Sequence, residues 1–440
     1  MNANTPITHT QAETGLIARY DSARAGFAGT DAVIALRDAA AEQLRRKGLP
    51  HRRVEEYKYT DLRAFMKSSA RLSAAASADE ARAVLEASDG FGDLGRYRIV
   101  IANGRFVEAL SDVAALAGEG VTVTDFTEAL GGDNGAALLA IPASAEGDGT
   151  LALNTAFVQG GVMLSVREGA EVSKPVELLH VVAGEGAQVT RCRIAVAPGA
   201  KLKLLETFAG NTSSGETNAV FDYDIADSAE LTVTRLIDGD GEGARLFTTL
   251  ARLGSEARFH TLGFIAGPSF VRNQQFVAFA GENSEARLFG VTMARDKALA
   301  DQTLIVDHAV PNCSSREFFK TVLDDEARGV YQGRINVAPH AQKTDGEMMT
   351  QALLLSEGPE MANKPELEIF ADDVLCAHGA TSGQIDEDLL FYLRARGIPE
   401  DEAKTLLVLA FLSEAIEEFG EDDVTGMLEE RVRAWLAARS

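Results

Sequence analysis

Five times in the middle of the chain an alanine opens a strand-like run. The segments are Gly169-Ala170-Glu171-Val172, Gly199-Ala200-Lys201-Leu202, Ser228-Ala229-Glu230-Leu231, Glu256-Ala257-Arg258-Phe259 and Glu285-Ala286-Arg287-Leu288. Successive alanines stand 30, 29, 28 and 29 residues apart, and a looser copy, Glu326-Ala327-Arg328, follows after 41. Between them lie short runs of alternating polarity, such as Val189–Val196, Leu231–Ile237, Arg258–Ile265 and Arg287–Met293. A strand presents alternate residues to opposite faces, so each run has one apolar side to cover. Steps of this size, made of short strands and turns, predict a parallel β-helix whose coils stack on one another. A β-sandwich with evenly spaced turns is the competing reading, and the regular step favours the solenoid.

The flanks differ in kind. Asp31–Arg46 places Val33, Ile34, Leu36, Ala40 and Leu44 largely on one stripe, and Gly48 and Pro50 stop that helix. A shorter helix is expected at Ala78–Ala87, and Tyr97–Val107 reads as two strands about the turn Asn103-Gly104. The Gly-, Ala- and Asp-rich stretch Gly131–Gly149 is the best boundary loop. Past the repeat, Asp386-Glu387-Asp388 open a helix that continues through Leu389–Arg396 and ends at Gly397. Pro399 at the first helical position starts a second, and Val424–Arg439 form a third. The fold expected is mainly β: an N-terminal helical and mixed region (1–145), a β-helix core (146–383) and a C-terminal helical domain (384–440).

Charge narrows the partners. The 440 residues carry 42 Lys+Arg against 66 Asp+Glu, a net −24, which repels nucleic acid and anionic membrane. From Asp386 to Glu430 fourteen acids face only Arg394, Arg396 and Lys404, a pattern of a solvated helix face or of a dock for a basic partner. The three cysteines, Cys192, Cys313 and Cys376, are far apart and form no disulfide framework, as befits a reducing compartment. The opening MNANTPITHTQAETG has neither a basic start nor an apolar stretch, and Leu406–Leu412 is too short to span a membrane. A cytoplasmic protein is expected.

Absent motifs remove several chemistries. There is no P-loop, no G-x-G-x-x-G after a strand, no H-E-x-x-H, no C-x-x-C and no G-x-S-x-G. One constellation remains, Asp372-Asp373-Val374-Leu375-Cys376-Ala377-His378. On a strand Cys376 and His378 face the same side, and thiolate with imidazole suits iron or zinc. A buried cysteine beside a hydrogen-bonded histidine is the plainer reading. An all-thiolate iron–sulfur cluster needs four cysteines, so a cluster here requires ligands from elsewhere. Cys192, between Arg191 and Arg193, reads as a core or groove residue, and Cys313 as a turn residue, exposed or structural. Asp372 and Asp373 point to opposite sides, His308 and His340 read as ordinary hydrogen-bonded histidines, and Lys320, Arg334 and Lys343 as one solvated coil face.

Several segments then become recognisable. Cys376-Ala377-His378-Gly379-Ala380-Thr381-Ser382-Gly383-Gln384-Ile385-Asp386-Glu387, followed by Leu390-Phe391-Tyr392-Leu393-Arg394-Ala395-Arg396-Gly397-Ile398, resembles the C-terminal signature of the SufB/SufD family. Gly48-Leu49-Pro50 with Glu56-Tyr57-Lys58-Tyr59-Thr60 resembles that family's N-terminal motif, with Tyr57 where Trp is usual. Leu153-Asn154-Thr155-Ala156-Phe157 and Met361-Ala362-Asn363-Lys364-Pro365-Glu366-Leu367-Glu368-Ile369 are similar to two further segments, so the likeness runs from about 48 to 420. The residues after the cysteine and the lack of a cysteine-rich N-terminus resemble the SufD branch.

That resemblance implies a right-handed parallel β-helix and a role in iron–sulfur cluster assembly. It implies pairing with SufB through the β-helix and docking of the ATPase SufC through C-terminal helices, about 384–436. It implies a transient cluster shared with the partner chain near Cys376 and His378, with no nucleotide bound directly. The chain then reads as a non-enzymatic scaffold, with a homodimer possible when isolated. A carbohydrate-active β-helix enzyme and an inert binding module are the alternatives. Clustered carboxylates in a groove, needed by the first, are not evident in the sequence.

Overall fold

Each coil of the central region turns on a residue in left-handed backbone conformation, followed by a small buried one. Gly169, Gly199, Ser228, Glu256, Asn283, Asn312 and Lys343 all have φ between +58° and +67°. The residues after them, Ala170, Ala200, Ala229, Ala257, Ser284, Cys313 and Thr344, are all buried. A side chain larger than these would have to find room inside a sharp corner, which is why the column stays small. The alanine repeat is therefore a corner repeat, and it departs from the predicted series at two points. Ala286 does not continue the column: it pairs with Phe259, inside the strand, and Ser284 takes the corner. Ala327 belongs to the opposite corner, after Asp325 at φ 54°, so the 41-residue step joins two different turns.

The computed structural model describes residues 8–87, 90–210, 215–239 and 241–438. The first part holds α1 (Gln11–Ala23), α2 (Asp31–Lys47), α3 (Leu62–Phe65), α4 (Ala78–Glu86), β1 (Tyr97–Ala102) and β2 (Arg105–Phe106). Then come α5 (Val113–Gly118), β3 (Val121–Asp125), α6 (Phe126–Leu130) and α7 (Gly149–Phe157). The coils begin with β4 (Val162–Val166), β5 (Val176–Val181), β6 (Gln188–Val196), β7 (Lys201–Ala209), β8 (Thr217–Ile225) and β9 (Glu230–Ile237). They continue through β10 (Arg245–Leu253), β11 (Arg258–Ala266), β12 (Phe270–Phe279), β13 (Glu285–Ala294), β14 (Leu299–His308) and β15 (Ser314–Leu323). The last are β16 (Arg328–Val337), β17 (Asp345–Leu354), β18 (Glu360–Ile369) and β19 (Leu375–Gln384). Helices α8 (Glu387–Ala395), α9 (Glu400–Phe419) and α10 (Asp422–Ala437) close the chain.

Odd strands from β5 to β19 pair in parallel in one sheet, which β1 and β2 extend, and even strands from β4 to β18 form the other, extended by β3. The result is a parallel β-solenoid of about seven turns with helices at both ends. Each coil gives one strand to each sheet, which is why the sequence repeat is twice as long as a strand with its turn. Asn103 (φ 46°) and Gly104 (φ 82°) make the tight hairpin between β1 and β2 that the dipeptide predicts. Pro399 sits one place earlier than predicted, at the N-cap, and Glu400 is the first helical residue of α9. The predicted end of the third helix, Arg439, lies outside the described residues.

Apolar rows from the two sheets meet inside the solenoid, including Phe221, Phe247, Phe259, Leu288 and Ile335. Truncating one such phenylalanine to alanine costs about 3–5 kcal/mol. The outer faces are covered too. On the even sheet, Val220, Leu250, Phe276 and Ile305 pack on Ile141, Ala145 and Leu151. On the odd sheet, Phe289, Val291, Phe318 and Val322 pack on Leu412, Ile416 and Phe419 of α9. Part of the acidic C-terminal run is consumed here. Lys320 Nζ donates to Glu414 Oε2 at 2.6 Å, Arg316 Nε to Glu418 Oε1 at 3.1 Å, and Lys203 pairs with Glu421 and Asp423. Those acids fasten α9 and α10 to their own β-helix.

The far end is different. β18 and β19 are the outermost strands of their sheets, and β19 is largely exposed along its length. Ile369, Phe370 and Leu375 stand out to solvent there. Pro365 and Lys364 on β18 are residues that edge strands tolerate.

Candidate functional site

Cys376 and His378 lie on β19, in register with Gly346 and Met348 of β17. Met348 is part of the interior core, so both side chains face the inside of the last coil. Cys376 is half-buried against that core, and His378 is exposed. The sulfur packs against Gly346, where an added Cβ would stand in ordinary contact, 3.5 Å from Cys376 Sγ. Burial pushes the thiol pKa up, a backbone hydrogen bond from Gly346 pulls it down, and nearby Asp345 adds to the rise. The net effect favours the S–H form of the thiol. Among the described residues no three His, Cys, Asp or Glu side chains converge to hold a metal ion. A thiol and an imidazole on one inward row are the donor types that suit iron or zinc.

The other candidates have structural roles. Cys192 faces the interior and is fully buried, with its pKa pushed up to about 12, and Cys313 is buried in the corner column. Asp372 and Asp373 lie in the turn before β19, where Asp373 pairs with Lys343. His308 is stacked on Phe279 and hydrogen-bonded to Ser315 through Nε2, whereas His340 is an exposed turn residue. Lys320, Arg334 and Lys343 do not share a face: the first is on β15, the second on β16, the third in a turn.

Sequence reasoning missed a polar file inside the solenoid. Asn273, Gln302, Tyr331 and Asn363 are successive register partners on β12, β14, β16 and β18. Arg235, paired with Glu206, donates to Asn273 Oδ1 at 2.8 Å, and Asn273 Nδ2 donates to Gln302 Oε1 at 2.8 Å. Tyr331 donates to Glu317 Oε2 at 3.0 Å, and at the open end Asn363 Nδ2 donates to Ser382 Oγ at 3.2 Å. The signal was present as polar residues one coil apart at inward positions, steps of 29, 29 and 32. It stays hidden until the inward face of each strand is known.

Comparison with known proteins decides the family. The SUF system FeS cluster assembly SufBD core domain matches residues 180–411, and the SufBD protein N-terminal region matches 10–178. The chain belongs to the SufB/SufD family. It is most like SufD: the iron–sulfur cluster assembly protein SufD of Escherichia coli is 32% identical over 382 residues, 86% of each chain. A SufBD family iron–sulfur cluster assembly protein of Synechocystis is 25% identical over 414 residues, 90% of this chain and 89% of the relative. The chloroplastic protein ABCI7 of Arabidopsis thaliana is 27% identical over 288 residues, 62% of this chain and 60% of that one. This SufD-like chain thus combines the family's two regions with a β-solenoid whose open end carries Cys376 and His378. No helix among its described residues is long and apolar enough to cross a membrane.

Proposed function

We propose that the chain is a non-enzymatic scaffold of cytoplasmic iron–sulfur cluster assembly, in which Cys376 and His378 hold iron together with ligands from a partner chain. The observation that carries this reading is the open last coil: two inward donors on an edge strand, too few to complete a cluster alone. Iron and sulfur are cargo here, held transiently and passed on.

The partner is a SufB-type chain, added strand to strand at β18 and β19, where unpaired edges and exposed Ile369, Phe370 and Leu375 favour burial. An isolated chain can place a second copy on the same edges. A SufC-type ATPase docks on the C-terminal helices, within about 384–436, and supplies the nucleotide hydrolysis for which this chain has no P-loop. Leu389, Phe391 and Tyr392 of α8 are exposed and offer the apolar part of that surface. The division into 1–145, 146–383 and 384–440 is the working domain assignment.

The test is reconstitution with a SufB-type chain, a SufC-type ATPase, iron and sulfide. The variants His378→Ala and Cys376→Ser should co-elute with both partners yet accumulate less cluster absorption. Undiminished assembly by both variants would remove these residues from the function, and failure of the parent chain to join either partner would remove the scaffold role.

A further inference from the structure

Glu317 is the unexplained group near this end. It is fully buried on β15 and accepts one hydrogen bond, from Tyr331, while Oε1 has no partner. It lies in the same inward column as His378: Leu288, Glu317, Met348 and His378 are successive register partners. Two strand spacings put Glu317 about 10 Å from His378 along that column. A Cβ on Gly333 would meet Tyr331 Oη at 2.7 Å and Met348 Sδ at 2.6 Å, so the Met348 thioether covers the Tyr331–Glu317 pair. Met348 alone stands between that pair and His378 in the column.

We propose that Glu317 is a proton-holding positioning residue of the Cys376/His378 end, a neutral carboxylic acid that ionises when a cation is seated there. This rests on the reading of Cys376 and His378 as cation ligands. The proton balance is simple. A divalent cation displaces the Cys376 proton and forms the sulfur–metal bond, while the His378 imidazole gives a lone pair. One positive charge is left over. The Glu317 carboxyl then releases its proton to solvent, and its carboxylate neutralises the end.

The surroundings agree. Burial pushes Glu317 up to about 8, with the Tyr331 hydrogen bond pulling the other way, and no charged side chain contributes. The groups facing this level of the interior are Tyr331 from β16, uncharged Gln302 from β14, Leu288 from β13 and Met348 from β17. His308, beside Ser315, is held neutral by burial, at about 4. Cys376 and His378 on β19 are the remaining titratable groups. A unit charge about 10 Å away, at an effective dielectric of about 20, shifts a carboxyl equilibrium roughly tenfold. That suffices to ionise a group poised near neutrality.

The experiment uses the full chain and cobalt(II) as probe. Infrared difference spectra between the chain and Glu317→Gln should show a protonated carboxyl band at pH 7, present only in the parent. Its absence would overturn the proposal whatever the metal does. Cobalt should bring thiolate-to-cobalt absorption, lost in Cys376→Ser, and should diminish the carboxyl band. In weakly buffered solution at pH 7.5 the parent should release about half a proton more per cobalt than Glu317→Gln. Cobalt absorption with equal proton release would overturn the role of Glu317 and leave the ligand reading standing. No cobalt absorption would remove the ligand reading and this inference with it. Tyr331→Phe should carry the carboxyl band to higher pH, because the lost hydrogen bond favoured the ionised form. A band unmoved by that change would also count against the proposal.

Discussion

Cys376 Sγ packs beside Gly346 of the neighbouring strand, 3.5 Å from where a Cβ on that glycine would stand. The same glycine donates the backbone hydrogen bond that steadies the sulfur. Gly346 thus packs beside the only thiol that is not fully buried and opposes the rise in pKa that burial imposes on it.

Thiol labelling should follow from this. Native protein treated with iodoacetamide is expected to modify Cys376 alone, since Cys192 and Cys313 are sealed in the interior and the corner column. Unfolded protein should react at all three. Gly346→Ala meets only ordinary contacts and should leave the rate nearly unchanged, whereas Gly346→Val should push the sulfur outward and speed labelling several-fold. Peptide mass spectrometry reads the result. Comparable labelling of Cys192 in the native state would contradict the packing described.

The buried Glu317 also predicts how stability depends on pH. Its pKa lies at about 8 in the folded chain, above the 4.5 of an exposed glutamate. Between those values the folded state holds a proton that the unfolded state has released. Stability therefore falls as pH rises from about 4.5 to 8, by up to ~1.4 kcal/mol per pH unit from this group, and levels off above. Glu317→Gln should remove that slope and be more stable than the parent at pH 8. Denaturant midpoints at pH 5, 6.5 and 8 check it, and an unchanged slope would mean the carboxyl is not buried as described.

His180 gives the opposite sign. Burial, helped by Arg235, holds it neutral down to about 3, and its Nε2 has no partner between Phe208 and Phe221. Unfolding exposes an imidazole that binds a proton below about 6.5. This contribution is lost as pH falls from about 6.5 to 3, again by up to ~1.4 kcal/mol per unit. His180→Leu should lose stability less steeply in that window than the parent does. Parallel acid titrations followed by circular dichroism make the comparison, and identical slopes would refute it.

The solenoid was legible because Ala170, Ala200, Ala229 and Ala257 recur at the length of one coil. The repeat blurred at Ala286 because Ser284, 27 residues after Ala257, takes the corner two positions before that alanine. Cys313 was ambiguous for the same reason: it is the corner residue of its coil, a fact visible only once the register is known. Composition left the acidic C-terminal run open between a solvated face and a dock, because its pairing with Lys203, Arg316 and Lys320 joins segments about 100 to 200 residues apart. Cys376 and His378 were legible as a pair from strand alternation alone. Glu317 was not, because nothing in SSREFFKTVL says which residues point inward.

The corner column offers the sharpest test of coil equivalence. Gly199 and Glu256 occupy the same place in different coils, at φ 67° and 58°, each before a buried alanine. Left-handed backbone costs a residue with a Cβ about 1 kcal/mol, and glycine almost nothing. A Cβ on Gly199 would meet nothing within 4 Å, so Gly199→Ala should lose about 1 kcal/mol through backbone strain alone. Glu256→Gly should move the other way, gaining up to about 1 kcal/mol less the exposed hydrogen bond from Ser228. Chemical denaturation of the two variants beside the parent measures both. Opposite signs are required if these corners are one repeated device; a loss from Glu256→Gly as large as that from Gly199→Ala would show that the coils are held by their side chains instead.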